Sequence, residues 1–578
     1  MAFISKLAAL FFVLALLQQA AADESFEAIE AEYIALAHAV DPVAAARARG
    51  LPPDDWPTVD REELMAHGEK AASLLRRLDQ TGDGDAVDRG VVAALLRRMK
   101  TQSEHDVARI PFTGDWGFHL APVFAISQSR LRTPEEADAA IRRIRRIPAY
   151  FDANIANLRR GLATGFVAHH DPLANTVRQI RDQIVDDPGD SPLFTPFERL
   201  AADDSARRAA ARQAVAEAID AYRDLLRFLE TDYAPLARTA PGLRALPGGE
   251  AAYRDAARFH TTRRDLSPEE IHGAGLIEVA RIRAAMDEVI VESGFGGDFE
   301  AFLHFLRTDP QFYADSPGDL IEKASTLSKA LDAILPEYFR TLPRLPYGVS
   351  PVPAAIAPGY TTARYSQGDP EQGRAGTYLV NTYRLDQRPL YELPALSAHE
   401  AVPGHHLQIA LAQELEDVAP YRRTYYATAF GEGWALYAER LAGEAGLYKT
   451  PYEQFGALSY EMWRACRLVA DTGLHWFGWS REEAEACFRK NTALSEHNIQ
   501  TEVTRYIGWP GQALGYKIGE ITILDLRAEA EEALGAAFDI RDFHDVVLAE
   551  GATPLDVLER RVRDWIAEQA PNEAGRAP

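Results

Sequence analysis

The chain has 578 residues, with 62 Lys and Arg against 86 Asp and Glu, a formal net charge of −24, and two cysteines. Such an acid surplus favours solubility and repels nucleic acid and anionic membrane surfaces, so neither is expected as a partner. Two cysteines exclude a disulfide-built scaffold; Cys466 and Cys487 have neither zinc-ribbon nor CxxC spacing, which leaves structural or free thiols, though an exported pair could form a disulfide.

The N-terminus reads MAFISKLAALFFVLALLQQAAADE: one lysine, an unbroken apolar run from Leu7 to Leu17, then small residues ending at Ala22. This is the pattern of a secretory leader cut after Ala22. The run is shorter than the roughly 20 residues a membrane span needs, and the cleavage region has no cysteine to carry a lipid. Removing residues 1–22 takes away one lysine and no acid, so the net charge goes from −24 to −25. The expected product is periplasmic or extracellular, without a membrane anchor.

Beyond the leader, helix signals dominate. TPEEADAAIRRIRRIPAYF from Thr133, SPEEIHGAGLIEVARIRAAMDEVIVESG from Ser267 and SREEAEACFRK from Ser480 share one start grammar, a hydroxyl cap followed three residues later by Glu. Pro268 suits the first turn and Gly294 the stop. The arginines after Ala140 alternate with Ile at helical spacing and are expected to cover a solvated face. Between Pro346 and Tyr383 Pro and Gly are frequent, and GTYLVNTY alternates as a strand does. No linker, low-complexity tract or repeat divides the chain. The predicted fold is mainly α with a small β-sheet beside the active-site helix. It comprises a helical half (23–265) and a half bearing the sheet and the chemistry (266–570), forming one compact unit.

The chemistry centres on HEAVPGHHLQ, residues 399–408. A hydrolytic zinc ion takes three ligands from His and carboxylate, keeps one position for water, and needs a carboxylate to accept that water's proton. His399 and Glu400 fit the first two places of the HExxH arrangement, but Pro403 stands where the second His belongs. On a straight helix His405 would face the far side, and His406 would lie about 10 Å along the axis. Pro403 cannot donate a backbone hydrogen bond and Gly404 tolerates unusual dihedrals, so the helix should bulge there. A bulge absorbing two residues returns His405 to the ligand position and turns His406 toward a supporting or substrate-binding role. Glu432, in GEGWALYAERL, is the candidate third ligand, its flanking glycines permitting close helix approach. Glu439, seven residues on, could orient a ligand histidine. Tyr378 and Asn381 of GTYLVNTY could add hydrogen bonds to a substrate lying along that strand as an edge. His169, His170 and Asp171 have metal-friendly types but read as a solvated turn, and Asp471 with His475 reads as a structural pair.

HExxPGHHxQ, GEGWALYxE and RYxxxPGQALxYKxG together resemble the bacterial family known as domain of unknown function 885, over most of the mature chain. That family looks related to the gluzincin metallopeptidases, which hold zinc by two His and one Glu. A looser similarity reaches the helical, cleft-shaped peptidases of the angiotensin-converting enzyme and thermostable carboxypeptidase type, whose HExGH matches His399, Glu400, Gly404 and His405 after a two-residue insertion. Dipeptidyl peptidase III has one inserted residue. The resemblance implies a cleft-shaped fold, with Tyr506 stabilising the oxyanion and Tyr516 as its alternate. It also implies His497 as a substrate-binding residue, and Lys517 and Arg505 as candidates to bind a substrate carboxylate.

The expected function is zinc-dependent hydrolysis of peptide bonds in short peptides, with one zinc ion and Glu400 as base. A metal-dependent amidase on other amides, or a catalytically silent exported binding protein on the same scaffold, remain alternatives; an intact base and ligand set speak against the second.

Overall fold

Each of the three start signals opens a helix in the computed structural model, which describes residues 25–201, 204–354, 357, 361–370 and 373–570. The leader expected at 1–22 lies outside the described residues. Thr133, Ser267 and Ser480 cap Pro134–Arg145, Pro268–Glu292 and Arg481–Asn491, each closing a reciprocal capping box with its Glu; Thr450 and Glu453 do the same for Pro451–Thr472. Gly294 follows the second of these at φ +71°, a left-handed stop that glycine adopts without strain. The protein is mainly α-helical, and no helix among the described residues is long and apolar enough to cross a membrane.

The chain divides into two compact units, the first ending at Ala252 and the second beginning at Tyr253, rather than one unit with halves meeting at 265/266. The earlier division has a physical cause: Tyr253 is fully buried and its hydroxyl donates to Asp471 at 2.7 Å, tying the chain to the second unit from that residue onward.

In the first unit, Ser205–Phe228 buries Ala211, Ala214, Val215, Ala218, Ile219, Tyr222, Leu225 and Phe228, a stripe at helical spacing, in a cluster with Ile144, Phe151 and Leu158. The arginine face of Pro134–Arg145 is only partly solvated as expected. Arg142 and Arg145 are exposed, but Arg143 is buried, with its guanidinium 3.9 Å from the Trp56 ring centroid and Nε donating to the Asp55 carbonyl. A planar, weakly hydrated guanidinium can stack on an indole where ammonium could not.

The second unit carries the sheet and the motifs. Pro451–Thr472 packs against both Pro268–Glu292 and the short helix Leu393–Glu400, whose eight residues are all buried. Thr428–Glu444 runs along Leu514–Leu534; a Cβ on Gly433 would stand 2.5 Å from Gly519 Cα, so this contact requires glycine. Cys466 and Cys487 form a disulfide joining Pro451–Thr472 to Arg481–Asn491. The sheet has strands β1 (Tyr347–Pro351), β2 (Ala363–Ser366) and β3 (Gly376–Val380) in the order β1-β3-β2, β1 parallel and β2 antiparallel to β3. GTYLVNTY therefore supplies the central strand, not the edge expected for it.

Candidate metal centre

The first motif helix stops at Glu400 and a second, His405–Gln413, starts after four intervening residues. Between them Ala401 and Gly404 take non-helical angles, the Val402–Pro403 bond is cis, and Gly404 N–H donates to Ala398 O at 3.0 Å. A Cβ at position 404 would lie 2.0 Å from His399 O, so only glycine lets the chain fold back this tightly. Trp434 Nε1 donates to Pro403 O at 2.8 Å and fixes the turn against the helix that carries Glu432. The chain thus breaks the helix completely where a bulge within it was expected, and the outcome for the histidines is that the rings of His399 and His405 stand 4.7 Å apart and nearly perpendicular.

Glu432 joins them from Thr428–Glu444. Its Oε2 lies 3.5 Å from His399 Nε2 and 3.4 Å from His405 Nε2. Among the described residues these three form a group whose ligand atoms all lie within 4.8 Å of one another. Ligands about 2.1 Å from a tetrahedral zinc stand roughly 3.4 Å from each other, whereas a charge-assisted hydrogen bond is about 2.8 Å long. The 3.5 and 3.4 Å separations fit atoms that could share an ion. Electrostatics agree: burial alone would push His399 down, but the acceptors Glu432 and Glu439 and the charge of Glu400 outweigh it and raise His399 to about 9. Burial also disfavours the Glu432 carboxylate, yet His405 and His399 hold it well below the usual range. A divalent cation would supply the positive charge this centre favours. The donor set, two imidazoles and one carboxylate, suits zinc with one position left open.

Two further groups support the ligands, and a third holds Glu400. Glu439 Oε1 sits 2.8 Å from His399 Nδ1, which fixes the ring with Nε2 toward Glu432. Tyr426, absent from the sequence reading, donates its hydroxyl to Glu432 Oε1 at 3.0 Å, leaving Oε2 for the histidines. Its ring occupies the space a side chain on Gly431 would fill, with a Cβ there only 2.5 Å from Tyr426 Cε2. The glycines flanking Glu432 thus serve Tyr426 and Gly519, not the approach to the first motif helix. Glu400 accepts the backbone N–H of Tyr365, on β2, at 2.6 Å. The β2 pairing turns the backbone groups of Ala363 and Tyr365 away from β3, so Glu400 faces the free edge of β2.

Other expected site residues are placed differently. His406 Nδ1 is 2.9 Å from the Tyr365 hydroxyl and its ring lies against Tyr347; burial pushes it down to about 4, and it braces the sheet instead of meeting substrate. Tyr378 is fully buried with its hydroxyl 3.4 Å from Ser397 Oγ. Asn381 is also fully buried, its amide donating to Ala357 O and Thr361 O and its carbonyl accepting Tyr383 N–H, so it shapes the loop. Tyr506 is excluded from oxyanion binding: it is 1% exposed, donates to Glu502 at 2.8 Å and accepts from Arg467 and Trp463 at 3.0 and 3.1 Å. Lys517 is 0% exposed, held by Glu278, Glu461 and Glu520 at 2.9, 2.6 and 2.7 Å, and so has no charge to offer a substrate carboxylate. Arg505 pairs with Glu502 and Gln512. His497 is exposed on the first turn of Glu496–Gly508. Tyr516 stays half-buried under the Arg467 guanidinium, 4.3 Å from its ring centroid. Asp471 and His475 do not pair: Asp471 accepts from Tyr253 and Gly511, and His475 Nε2 meets Tyr506 O. His169 is no solvated turn residue but the buried N-cap of His170–Arg181.

Residues 42–562 match the model of a bacterial family described as protein of unknown function (DUF885), and the chain belongs to that family. A candidate lipoprotein from Colwellia psychrerythraea has a solved structure that superposes with a TM-score of 0.85 at 27% identity, covering 93% of this chain and 99% of its own. A candidate lipoprotein of unknown function from Shewanella oneidensis shares the fold at 17% identity and a TM-score of 0.73, with the same coverage. Among curated proteins none matches.

Proposed function

We propose that this member of the DUF885 family is an exported zinc-dependent peptidase that hydrolyses peptide bonds in short, extended substrates. The observation that carries the reading is the spacing of His399 Nε2, His405 Nε2 and Glu432 Oε2, that of ligands sharing one ion, with the Glu400 carboxylate on the adjoining residue. Export is supported by the leader pattern and by the description of both solved relatives as candidate lipoproteins.

His399, His405 and Glu432 would hold the ion. A bound zinc would supply a water of lowered pKa and polarise the scissile carbonyl. The chain's own residues do the rest. Glu400, with one oxygen anchored on Tyr365 N–H, takes the water's proton on the other and returns it to the leaving amine. Tyr426, exposed where Tyr506 is buried, would take the oxyanion role by turning its single O–H from Glu432 Oε1 to the developing oxyanion. The free edge of β2, four residues long, offers the outward backbone groups of Ala363 and the carbonyl of Tyr365 to one extended segment, the Tyr365 N–H being held by Glu400. So short an edge favours peptides over folded proteins.

The test is Glu400→Gln. Zinc should stay bound while turnover of a peptide library falls about 10²- to 10⁴-fold, the usual contribution of a general base; unchanged turnover would sink the mechanism.

A further inference from the structure

Glu439 has a problem that its bond to His399 does not solve. Glu439 is among the residues that line a cavity of about 290 Å³, together with Leu436, Tyr448, Ala457, Leu458 and Glu461. Space of that size admits several waters, and a carboxylate beside it can rotate into the cavity and be hydrated there. The backbone cannot move far, because the Tyr448 hydroxyl donates to Glu439 O. The side chain needs a separate restraint.

Arg464 supplies one. It projects from Pro451–Thr472 with Nη2 3.2 Å from Glu439 Oε1, the same oxygen that meets His399. The guanidinium is itself immobilised: Nη1 donates to Tyr460 O at 3.1 Å, and its carbon lies 4.7 and 4.9 Å from the Tyr460 and Trp463 ring centroids. Arg464 and Glu439 side chains are 6% and 5% exposed. A rigid, buried cation thus pulls on the carboxylate from the side of His399.

We propose that Arg464 is a positioning residue for the metal centre, holding the Glu439 carboxylate on His399 Nδ1 and out of the adjoining cavity, and thereby fixing the ring that presents Nε2 to the ion. The inference rests on the metal site of the proposed function and not on peptide hydrolysis. Outer partners of this kind contribute about 10- to 100-fold to metal affinity.

The experiment measures zinc affinity of the full-length protein by competition with a chromogenic chelator. Arg464→Met should bind zinc about 10- to 100-fold more weakly than wild type, and Arg464→Lys, which keeps the charge, should lie between them. Ala457→Leu, which narrows the cavity, should leave wild-type affinity unchanged and restore part of the loss when added to Arg464→Met; a merely structural role for Arg464 would not be rescued by narrowing the cavity. Wild-type affinity in Arg464→Met, no advantage of Lys over Met, or no rescue by Ala457→Leu would overturn the proposal. A wild type that takes up no zinc would overturn this inference and the functional reading together, whereas one that binds zinc yet cleaves no peptide would sink the peptidase reading alone.

Discussion

Among the described residues two clusters have the residue types that hold zinc, and only in one do the ring nitrogens converge on a shared carboxylate oxygen. In both His399/His405/Glu432 and His169/His170/Asp171 the nearest ligand atoms lie within 4.8 Å of one another. The difference is what each lone pair already does. His169 Nδ1 accepts the N–H of Asp171 at 3.2 Å and Nε2 meets Thr239 O at 3.0 Å, so both ring nitrogens are spent on backbone. In the other cluster both Nε2 atoms converge on the same Glu432 Oε2, at 3.5 and 3.4 Å, and the rear nitrogen of His399 is occupied by Glu439. The electrostatics separate them too: burial, then the neighbouring His170, lowers His169 to about 4, while Glu432 and Glu439 lift His399 to about 9 against its burial. Residue type nominates a ligand; a free lone pair and a carboxylate behind it decide.

This contrast can be broken at several points. The largest effect is expected from Glu432→Ala, which removes the atom on which both histidines converge: stoichiometric zinc by elemental analysis should vanish, and its retention would mean that the cluster is not the site. Next is Glu439→Gln, for which chelator competition should show zinc bound about 10- to 100-fold more weakly. Smallest is His169→Asn, which keeps an N-cap and should leave zinc content unchanged. Its signature lies in pH. The folded-state pKa of His169 is depressed, so its contribution to stability is fully present above about 6.5, the unfolded value, and is lost as pH falls toward 4. Between pH 7 and 5 that loss amounts to about 2 kcal/mol, which His169→Asn should remove from the pH dependence of chemical denaturation. An identical pH dependence in the variant would contradict the assignment of a buried neutral cap.

Much of the centre was legible in the sequence for local reasons. Pro403 and Gly404 announce that the helix cannot continue, and the count of residues then brings His405 opposite His399. Capping boxes at Thr133, Ser267 and Ser480 announce their helices because both partners lie within four residues. What could not be read depends on distant partners. GTYLVNTY alternates as a strand wherever it sits, but its central place comes from pairing with Tyr347–Pro351 and Ala363–Ser366. Tyr506 is removed from chemistry by Arg467 and Trp463 together with Glu502 one turn back, and Lys517 by Glu278 and Glu461 together with Glu520 three residues on; only Glu502 and Glu520 are visible in the spacing. Tyr426 left one trace, the small residue Gly431 whose missing side chain its ring replaces. Tyr365 left none, because it acts through its backbone N–H.

The account stands most directly on a comparison of His405→Ala with His406→Ala. The two histidines are neighbours in sequence, but one faces Glu432 and the other braces Tyr365. Zinc measured by elemental analysis after reconstitution should be lost in His405→Ala and remain at one ion per chain in His406→Ala. Loss of zinc in His406→Ala with full occupancy in His405→Ala would contradict the geometry on which the function is built.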